Sequence, residues 1–438
     1  MSYPLLQLVD APDVAASVRV DLNAGLVRTV SDDFSLGAPE SEGDAYYGPR
    51  AVALPLMVRG TRAAAAAALG VVARAVTREG WLRVQIDATS APTWVRFDPG
   101  SVSPLGWEHI RNGAPEDRWL ATLTLTADPY MVGAEVVAGT WEVSNTPSAG
   151  TNPMRFEVPP VAGEMLAPAT VRVTKTGTGG FPGLAVGVGS VAPLMVAGAS
   201  WSASALTGAV SSSAWAGGSY RTTTASLAGS WAPLATFTPP ASPTGRRRLL
   251  VQMSGTADAG AVALQVVASS PAAAGSVSAA SRTVVLRANS RGWVDLGAVP
   301  YPLADGSALG VSSPTVYTVS ARRVTPGGEL QIGAAALLVG HDDASLRLVQ
   351  PVPGVGTGAA VVLLDGAASS VAMASSGQMV PTPGGWGGWP ALSPHRDNHV
   401  FVAQSLDAVP VSGRADDMGS TVGVEVTYRP RYLWGLAT

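Results

Sequence analysis

Residues 51–58 read Ala-Val-Ala-Leu-Pro-Leu-Met-Val, and they open the stretch of sequence that decides the fold. An alanine-rich segment follows at residues 63–75, and alanine has the highest helix propensity. Two further apolar runs come at residues 81–86 and 119–127. This order predicts a strand, a helix and more strands, and therefore an α+β unit. The block ends at Asp128-Pro129-Tyr130, where a proline without an amide hydrogen stops strand pairing.

This order of elements, together with the Asp128-Pro129-Tyr130 ending, resembles a known domain. It is similar to the amino-terminal domain of phage distal tail proteins, which form the ring-shaped hub at the tail tip of long-tailed bacteriophages. The resemblance implies that residues 1–145 form a ring-forming belt domain.

The end of the chain resembles the same family. A strand with Asp365-Gly366, a Pro390-Ala-Leu392-Ser-Pro394 turn with Asn398 nearby, and a last strand that runs into Arg429-Pro430-Arg431-Tyr432 match its closing sequence. One stretch departs from the pattern, because His395-Arg396-Asp397 stands where the family usually has a glycine turn. The conformation of that turn is therefore open.

The length and texture of the chain predict more than one domain. At 438 residues it exceeds the roughly 250–300 residues at which single cores stop growing. After residue 145 the pattern changes to short strands between Gly, Pro, Ser and Ala turns, which is typical of β-sandwiches and jelly rolls. Within this part, Ser219-Tyr220-Arg221 and the Gly-Trp-Val-Asp-Leu-Gly run at residues 292–297 resemble jelly-roll carbohydrate-binding modules.

We therefore predict a mainly β fold, with an α+β belt domain followed by β-sandwich and jelly-roll domains. The predicted boundaries are 1–145 for the belt domain, 146–200 plus 346–438 for a carboxyl-terminal β-sandwich, and 201–345 for an inserted jelly roll.

Composition excludes several classes of partner. The formal net charge is only −3, so the chain lacks the basic field that would hold nucleic acid or an anionic membrane. It contains no cysteine, which rules out disulfides and thiolate chemistry. The first twenty residues lack the pattern of a secretory signal peptide, and no window offers the roughly 18 apolar residues of a membrane span. We expect neither export nor membrane insertion.

The sequence offers little catalytic chemistry, and we predict no catalytic residue, no cofactor and no metal. His395, Asp397 and His399 have the spacing that would share one face of a strand, but Pro394 makes a turn the better prediction there. No serine lies in a Gly-x-Ser-x-Gly context. Adjacent carboxylates such as Asp342-Asp343 point to opposite sides of a strand, so they do not form the facing pair of a glycosidase.

Aromatic residues in the predicted jelly roll carry the one binding hypothesis. An exposed flat ring can stack against the apolar face of a sugar. Trp215 and Trp231 are the two rings that we expect to be exposed, and therefore the candidate glycan contacts. The alternative is that these rings pack in the core.

Two classes of function remain open. The resemblance implies a structural, non-enzymatic baseplate hub or minor tail protein that forms a homohexameric ring and connects the tail tube to the host-recognition apparatus. It implies the tail tube protein, the tape measure protein and the tail-tip or receptor-binding proteins as partners, with host cell-wall glycan as a further one. The implied location is the virion tail tip, with assembly in the host cytoplasm. The alternative is a monomeric glycan-binding adhesin or non-catalytic carbohydrate-binding protein.

Overall fold

A computed structural model shows that this chain is built almost entirely of β-strands. The residues that the structure describes are 5–14, 17–29, 35–36, 48–86, 89–106, 118–145, 154–175, 184–196, 206–212, 215, 218–223, 229–237, 247–255, 260–269, 276–286, 291–299, 316–340, 346–349, 360–375, 378–381, 386–404 and 420–433.

Within these ranges one helix accompanies 32 strands, which confirms the predicted mainly β fold. The elements are β1 (Leu5–Val9), β2 (Val18–Asp21), β3 (Val27–Thr29), β4 (Ser35–Leu36), β5 (Arg50–Arg59), α1 (Arg62–Ala75), β6 (Gly80–Gln85), β7 (Thr93–Phe97), β8 (Ser101–Gly106), β9 (Arg118–Ala127), β10 (Met131–Val132), β11 (Val136–Asn145), β12 (Met154–Val158), β13 (Ala167–Lys175), β14 (Leu184–Val196), β15 (Val210–Ser211), β16 (Ser219–Thr222), β17 (Ala232–Phe237), β18 (Arg247–Gly255), β19 (Gly260–Ser269), β20 (Ser276–Leu286), β21 (Arg291–Val299), β22 (Val316–Arg323), β23 (Leu330–Gly340), β24 (Leu346–Val349), β25 (Ala360–Asp365), β26 (Ser370–Ser375), β27 (Gln378–Pro381), β28 (Trp386–Gly387), β29 (Ala391–Leu392), β30 (Asn398–Gln404), β31 (Ser420–Tyr428) and β32 (Arg431–Tyr432).

The chain divides into two compact units. Unit 1 consists of Met1–Val136, Ala162–Ala167 and Arg429–Thr438, and unit 2 consists of Val137–Val161 and Pro168–Tyr428. Unit 1 therefore draws on three separate parts of the sequence. The finer division into three domains stays a prediction.

One sheet forms the frame of unit 1, with the strand order β2-β1-β6-β7-β9-β5-β3 and with β4, β8, β10 and β32 pairing off this path. The long strands β5 and β9 pair antiparallel along their whole length, from Arg50 opposite Ala127 to Arg59 opposite Arg118. Alternate residues of β5 face the core because successive side chains of a strand point to opposite faces. The fully buried apolar residues of this strand are Val52, Leu54, Leu56 and Val58.

Helix α1 packs against this core with one face. Thr61 caps its amino end, where the hydroxyl oxygen accepts a hydrogen bond from the backbone N–H of Ala64 at 3.4 Å. Ala65 and Val72 are buried against the sheet, while the opposite face is exposed. The alanine-rich segment predicted as a helix is therefore an amphipathic helix rather than a linker.

Three sheets make up unit 2. The first has the order β11-β31-β13-β25-β26-β27, with β29 pairing β13. The second runs β12-β30-β14-β23-β16-β15 and also includes β18, β21, β24 and β28. The third has the order β17-β22-β19-β20. In the second sheet, β14 pairs with β30 and with β23. β14 and β30 belong to the predicted carboxyl-terminal β-sandwich and β23 to the predicted inserted jelly roll, so this sheet contains strands of both predicted domains.

No helix in the described part of the chain has the length and apolar character needed to cross a bilayer.

Candidate functional site

A buried arginine stands at the start of β5. Strand alternation places Arg50 on the same face as Val52 and Leu54, and the residue is only 2% exposed. Its Nη2 donates hydrogen bonds to the carbonyl oxygens of Pro129 and Leu433, the second at 2.7 Å. Its Nε has no hydrogen-bond partner among the described residues, and burial lowers the pKa of Arg50. The carbonyl oxygens replace part of the water that the guanidinium loses.

The second of these carbonyls belongs to residues 429–433, which we call the closing segment. Its strand β32 pairs antiparallel with β10, so that Met131 lies opposite Tyr432 and Val132 lies opposite Arg431. The N–H of Gly133 extends this pairing by donating to the carbonyl oxygen of Pro430 at 2.8 Å. The end of the chain is thus hydrogen-bonded to the residues that follow the Asp128-Pro129-Tyr130 stretch.

A second backbone segment lies on the other side of the closing segment. The N–H of Glu164 donates to the carbonyl oxygen of Arg431 at 2.8 Å, and Met165 forms a β-bridge with Arg431. The Glu164 side chain accepts a hydrogen bond from the N–H of Leu433 at 2.7 Å. The closing segment is therefore paired on both sides and is not an outer strand.

Charged side chains hold the closing segment at its first residue. Arg429 donates a hydrogen bond to the Asp13 carboxylate, and its Nη2 lies 3.5 Å from Oε2 of Glu135. Asp13 also accepts a hydrogen bond from the N–H of Glu135 at 3.2 Å. With a φ of 60°, Asp13 is one of two non-glycine residues in the described ranges with left-handed backbone, a conformation that aspartate tolerates better than most residues.

Arg431 contacts the Asp128-Pro129-Tyr130 stretch. Its guanidinium carbon lies 5.0 Å from the centre of the Tyr130 ring, which is the distance of a cation–π contact. Burial lowers the pKa of Arg431, while the neighbouring Tyr130 and Asp128 act in the opposite direction. Burial of the Asp128 carboxyl group raises its pKa, and the charges of Arg96 and Arg431 oppose this rise. The residue as a whole is nonetheless exposed.

These contacts join the closing segment to the first 136 residues of unit 1. They consist of backbone pairing with β10, hydrogen bonds from the buried Arg50, and contacts of Arg429 and Arg431. Asp128-Pro129-Tyr130 and Arg429-Pro430-Arg431-Tyr432, which carry the family resemblance separately, form parts of a single junction.

The turn before β30 depends on Asn398, which is fully buried. Its Oδ1 accepts a hydrogen bond from the N–H of Ser393 at 2.6 Å. Its Nδ2 donates to the carbonyl oxygens of Ser393, Arg396 and Pro159 at 3.1, 3.2 and 3.4 Å. The turn at residues 395–397, where the sequence departs from the family pattern, is therefore stabilised by the buried amide of Asn398. None of its residues 395–397 has a positive φ, so it needs no glycine.

The predicted turn also bears on the His395, Asp397 and His399 spacing. His395 and Asp397 are exposed in the turn, and His399 lies on β30. Across the described ranges no three His, Cys, Asp or Glu residues are grouped so that they could hold a metal ion.

Trp215 is buried, with 3% of its surface exposed, so the expectation of an exposed ring is wrong for this residue. The ring stacks on Tyr220 with centroids 5.1 Å apart. It also occupies the space over Gly333, where an added Cβ would lie 2.2 Å from Cε3 of Trp215. The absence of a side chain on a neighbouring strand gives the ring its place, and this cannot be seen in the sequence around Trp215.

Trp231 is exposed as expected, with 38% of its surface accessible. It directly precedes β17 in the third sheet of unit 2, and the Arg322 guanidinium carbon lies 4.8 Å from its ring centre. Trp215 stacks against the second sheet, so the structure places the two candidates at different sheets. Glycan contact at either ring stays a prediction.

Sequence reasoning missed the residues that hold the junction, above all Arg50, Asp13 and Glu164. For Arg50 a signal was present, because it is in phase with the buried residues of β5 and thus points inward. For Asp13 and Glu164 the sequence shows only a polar residue in a turn. Such residues are too common to indicate a role in the junction. Their partners lie in parts of the chain that local patterns do not connect.

No protein-family profile matches this sequence, and no curated protein sequence matches it. Among solved structures, the chain is similar to the SPP1 Dit protein, described as a paradigm of the hub adsorption apparatus in phages that infect Gram-positive hosts, with 10% identity, a TM-score of 0.34, and coverage of 98% of this chain and 99% of that one. It is similar to a Paenibacillus xanthan lyase with 10% identity and a TM-score of 0.21, covering 87% of this chain and 38% of the lyase. It is also similar to the VP2 subviral particle of infectious bursal disease virus with 8% identity and a TM-score of 0.20, covering 90% and 83%. TM-scores this low do not establish a common fold.

Proposed function

We propose that this protein is a structural subunit of a phage tail tip, in which unit 1 closes a ring with copies of itself. The observation that carries the proposal is the junction in unit 1. Asp128-Pro129-Tyr130 and Arg429-Pro430-Arg431-Tyr432 are the two stretches that resemble distal tail proteins. Arg431 contacts the Tyr130 ring, and the strand pairing follows directly at Met131 and Val132, although the two stretches lie at opposite ends of the sequence. Two independent resemblances that meet in one site support a common origin for that site.

In this role the protein acts mechanically. A ring of subunits joins the tail tube to the host-recognition apparatus and leaves a central channel for the tape measure protein and the DNA. The net charge of −3 suits such a channel, because a strongly basic wall would retain the passing polyanion. The ring has six copies if it follows the family.

Light scattering during size-exclusion chromatography of the full chain tests this proposal. A hexamer of 44.3 kDa subunits has a mass of about 266 kDa, while the adhesin alternative is a monomer. A monomer that persists as the concentration is raised would contradict the ring.

Matched variants test whether unit 1 provides the contact. Val14 and Val18 are 51% and 39% exposed in unit 1, and Val210 and Val324 are 43% and 52% exposed in unit 2. Buried in an interface, an aspartate would lose its hydration without a partner. We expect the Val14→Asp, Val18→Asp variant to dissociate and the Val210→Asp, Val324→Asp variant to keep its mass. The reverse pattern would contradict a ring formed by unit 1.

A second candidate function is glycan binding at Trp231. Its exposure favours this function, because the ring stays 38% exposed although the Arg322 guanidinium lies over it, and that guanidinium offers a hydrogen-bond donor at the same place. Pull-down on host cell-wall polysaccharide would detect it. Trp231→Ala should abolish the retention while Val324→Ala, which changes another exposed apolar residue of unit 2, should not. Equal retention of both variants would exclude Trp231.

A further inference from the structure

We propose that unit 1 contains a strand-acceptor site whose ligand is the closing segment of the same chain, and that the unit self-associates only when this site is occupied. The second clause rests on the ring proposed above. The acceptor consists of β10 on one side, residues 163–165 on the other, and Arg50 at the end.

Backbone groups of the acceptor recognise an extended segment. On one side they are the residues of β10 and the N–H of Gly133, and on the other they are Glu164 and Met165. Addition of a strand to an exposed sheet edge is a common way to bind a peptide, because main-chain hydrogen bonds supply affinity and side-chain sites supply specificity. Here both edges are used, so removal of the closing segment would leave two unpaired edges.

Side chains of the acceptor recognise two arginines. Asp13 and Glu135 face Arg429, while the Tyr130 ring faces Arg431. The acceptor therefore offers carboxylates to the first guanidinium group and an aromatic face to the second. This complementarity selects a segment of the form Arg-Pro-Arg-Tyr, since the proline between the arginines needs no hydrogen-bond acceptor for its nitrogen.

Two side chains of opposite charge bind the backbone of Leu433, the last residue of the closing segment. The Leu433 carbonyl oxygen accepts from Arg50, and the Leu433 N–H donates to the Glu164 carboxylate at 2.7 Å. Arg50 is 2% exposed and its Nε already lacks a partner in the described structure. Loss of the closing segment would remove one of its two carbonyl contacts and leave a buried charge less compensated, which is unfavourable.

The acceptor is shaped by one glycine. Gly163 has a φ of +119°, and a Cβ placed on it would lie 3.0 Å from both the backbone nitrogen and the carbonyl oxygen of Arg431. Because those atoms belong to the backbone, a side chain here would push the closing segment away. Gly60 has nearly the same φ, +117°, but a Cβ there meets only side-chain atoms at 3.7 Å or more. These two glycines have nearly the same φ and differ in contact with the closing segment.

The closing segment also covers part of the core of unit 1. The core cluster of unit 1 includes Met131, and Tyr432 of the closing segment packs against that cluster. Without the closing segment, β10 lacks this cover and keeps only its pairing with β7. A subunit whose acceptor is empty would present an altered surface to its neighbours. We therefore expect the ring to form only when the closing segment fills the acceptor.

Restoring the ligand in trans tests the site. The variant is the chain that ends at Tyr428, and the probe is a synthetic peptide with the sequence of residues 429–438. We expect fluorescence anisotropy to show binding of the labelled peptide, and a peptide with Arg429→Glu and Arg431→Glu to bind at least about tenfold more weakly, which corresponds to ~1.4 kcal/mol. Equal binding of both peptides, or none, would overturn the acceptor site.

Light scattering on the same samples tests the dependence of assembly on occupancy. We expect the full chain to form the ring, the shortened chain to stay monomeric, and the peptide to restore the ring. A shortened chain that assembles without peptide would overturn the inference and leave the proposed function intact. A full chain that is monomeric would overturn the ring and the assembly clause, while peptide binding would still decide the acceptor site.

Two full-length variants keep the inference testable if the shortened chain does not fold. We expect Gly163→Ala to raise hydrogen exchange at the amides of Gly133 and Glu164 at least tenfold and to reduce assembly. Gly60→Ala introduces the same backbone strain without contact to the closing segment, so it should leave those two amides protected. Equal exchange in both variants would overturn the role of Gly163 in seating the segment.

Discussion

Arg50 in unit 1 and Asn398 in unit 2 each close a turn of the chain with one buried polar side chain, but they do so over very different distances. Asn398 forms its shorter hydrogen bonds with Ser393 and Arg396, which lie within five residues of it, and a longer one of 3.4 Å with Pro159, 239 residues away. Arg50 joins Pro129 and Leu433, which lie 79 and 383 residues away. Both the oxygen and the nitrogen of the amide form hydrogen bonds, whereas the guanidinium leaves Nε unpaired in the described structure.

The comparison shows what each group is suited for. A neutral amide both donates and accepts, so it satisfies a tight turn at low desolvation cost. A guanidinium only donates, yet its planar fork reaches carbonyl oxygens of separate segments and holds them at a fixed distance. The first property suits a turn whose nearby groups include both donors and acceptors, and the second suits a site where only carbonyl oxygens of distant segments meet.

Removing Arg50 should have the largest effect. Arg50→Ala leaves the carbonyl oxygens of Pro129 and Leu433 without their donor, and we expect unit 1 to lose about 2–4 kcal/mol of stability. Hydrogen exchange in β5 and β10 measures this loss locally. Arg50→Lys keeps the charge without the fork, so its loss should be smaller. A neutral effect of Arg50→Met would show that the hydrogen bonds only offset the burial of the charge.

Asn398 should rank second. Asn398→Ala leaves the N–H of Ser393 unpaired, and we expect a loss of about 1–3 kcal/mol in unit 2, measured by exchange at that amide. Asn398→Asp keeps Oδ1 but sets a second oxygen against the carbonyl groups of Ser393 and Arg396. Its loss should be larger near neutral pH and should shrink as the pH falls, because protonation restores a donor. A loss that is independent of pH would contradict this account.

A third residue sharpens the comparison at the protein surface. Arg19 also donates to carbonyl oxygens, those of Ala75 and Glu79 at 2.9 and 2.7 Å, but it has a carboxylate partner in Asp10 at 2.6 Å. The hydrogen bond from Arg19 lowers the pKa of Asp10, burial opposes this, and the charges of Arg19 and Arg78 add to the lowering.

Asp10→Asn should therefore have the smallest effect. The pair is solvent-exposed on the Asp10 side, so we expect a loss of less than about 1 kcal/mol at neutral pH. A carboxyl with a lowered folded pKa stabilises the fold above its usual pKa and loses that contribution as the pH falls through the folded value. The difference between wild type and variant should thus persist down to about pH 4 and shrink as the pH falls further through the lowered folded pKa, as measured by urea unfolding. A difference that persists in acid would contradict this origin.

Local patterns predicted the elements of unit 1 well. The apolar run at residues 51–58 indicated β5, and the alanine-rich segment indicated α1, because each pattern depends on neighbours in sequence. The buried state of Trp215 could not be predicted, because it depends on Gly333 across the sheet. The junction could not be predicted either, since strand pairing between β10 and β32 leaves no periodic signal in either segment. Only the family resemblance marked both of its halves.

The turn over Asn398 has a practical consequence for measuring this protein. Its residues 395–397 are exposed, while the buried amide holds the backbone beneath them in place. The chain contains no cysteine, so an Arg396→Cys variant would have a single thiol for attachment of a dye or spin label. A label at this position would ride on a fixed backbone and report distances between neighbouring copies in an assembled particle.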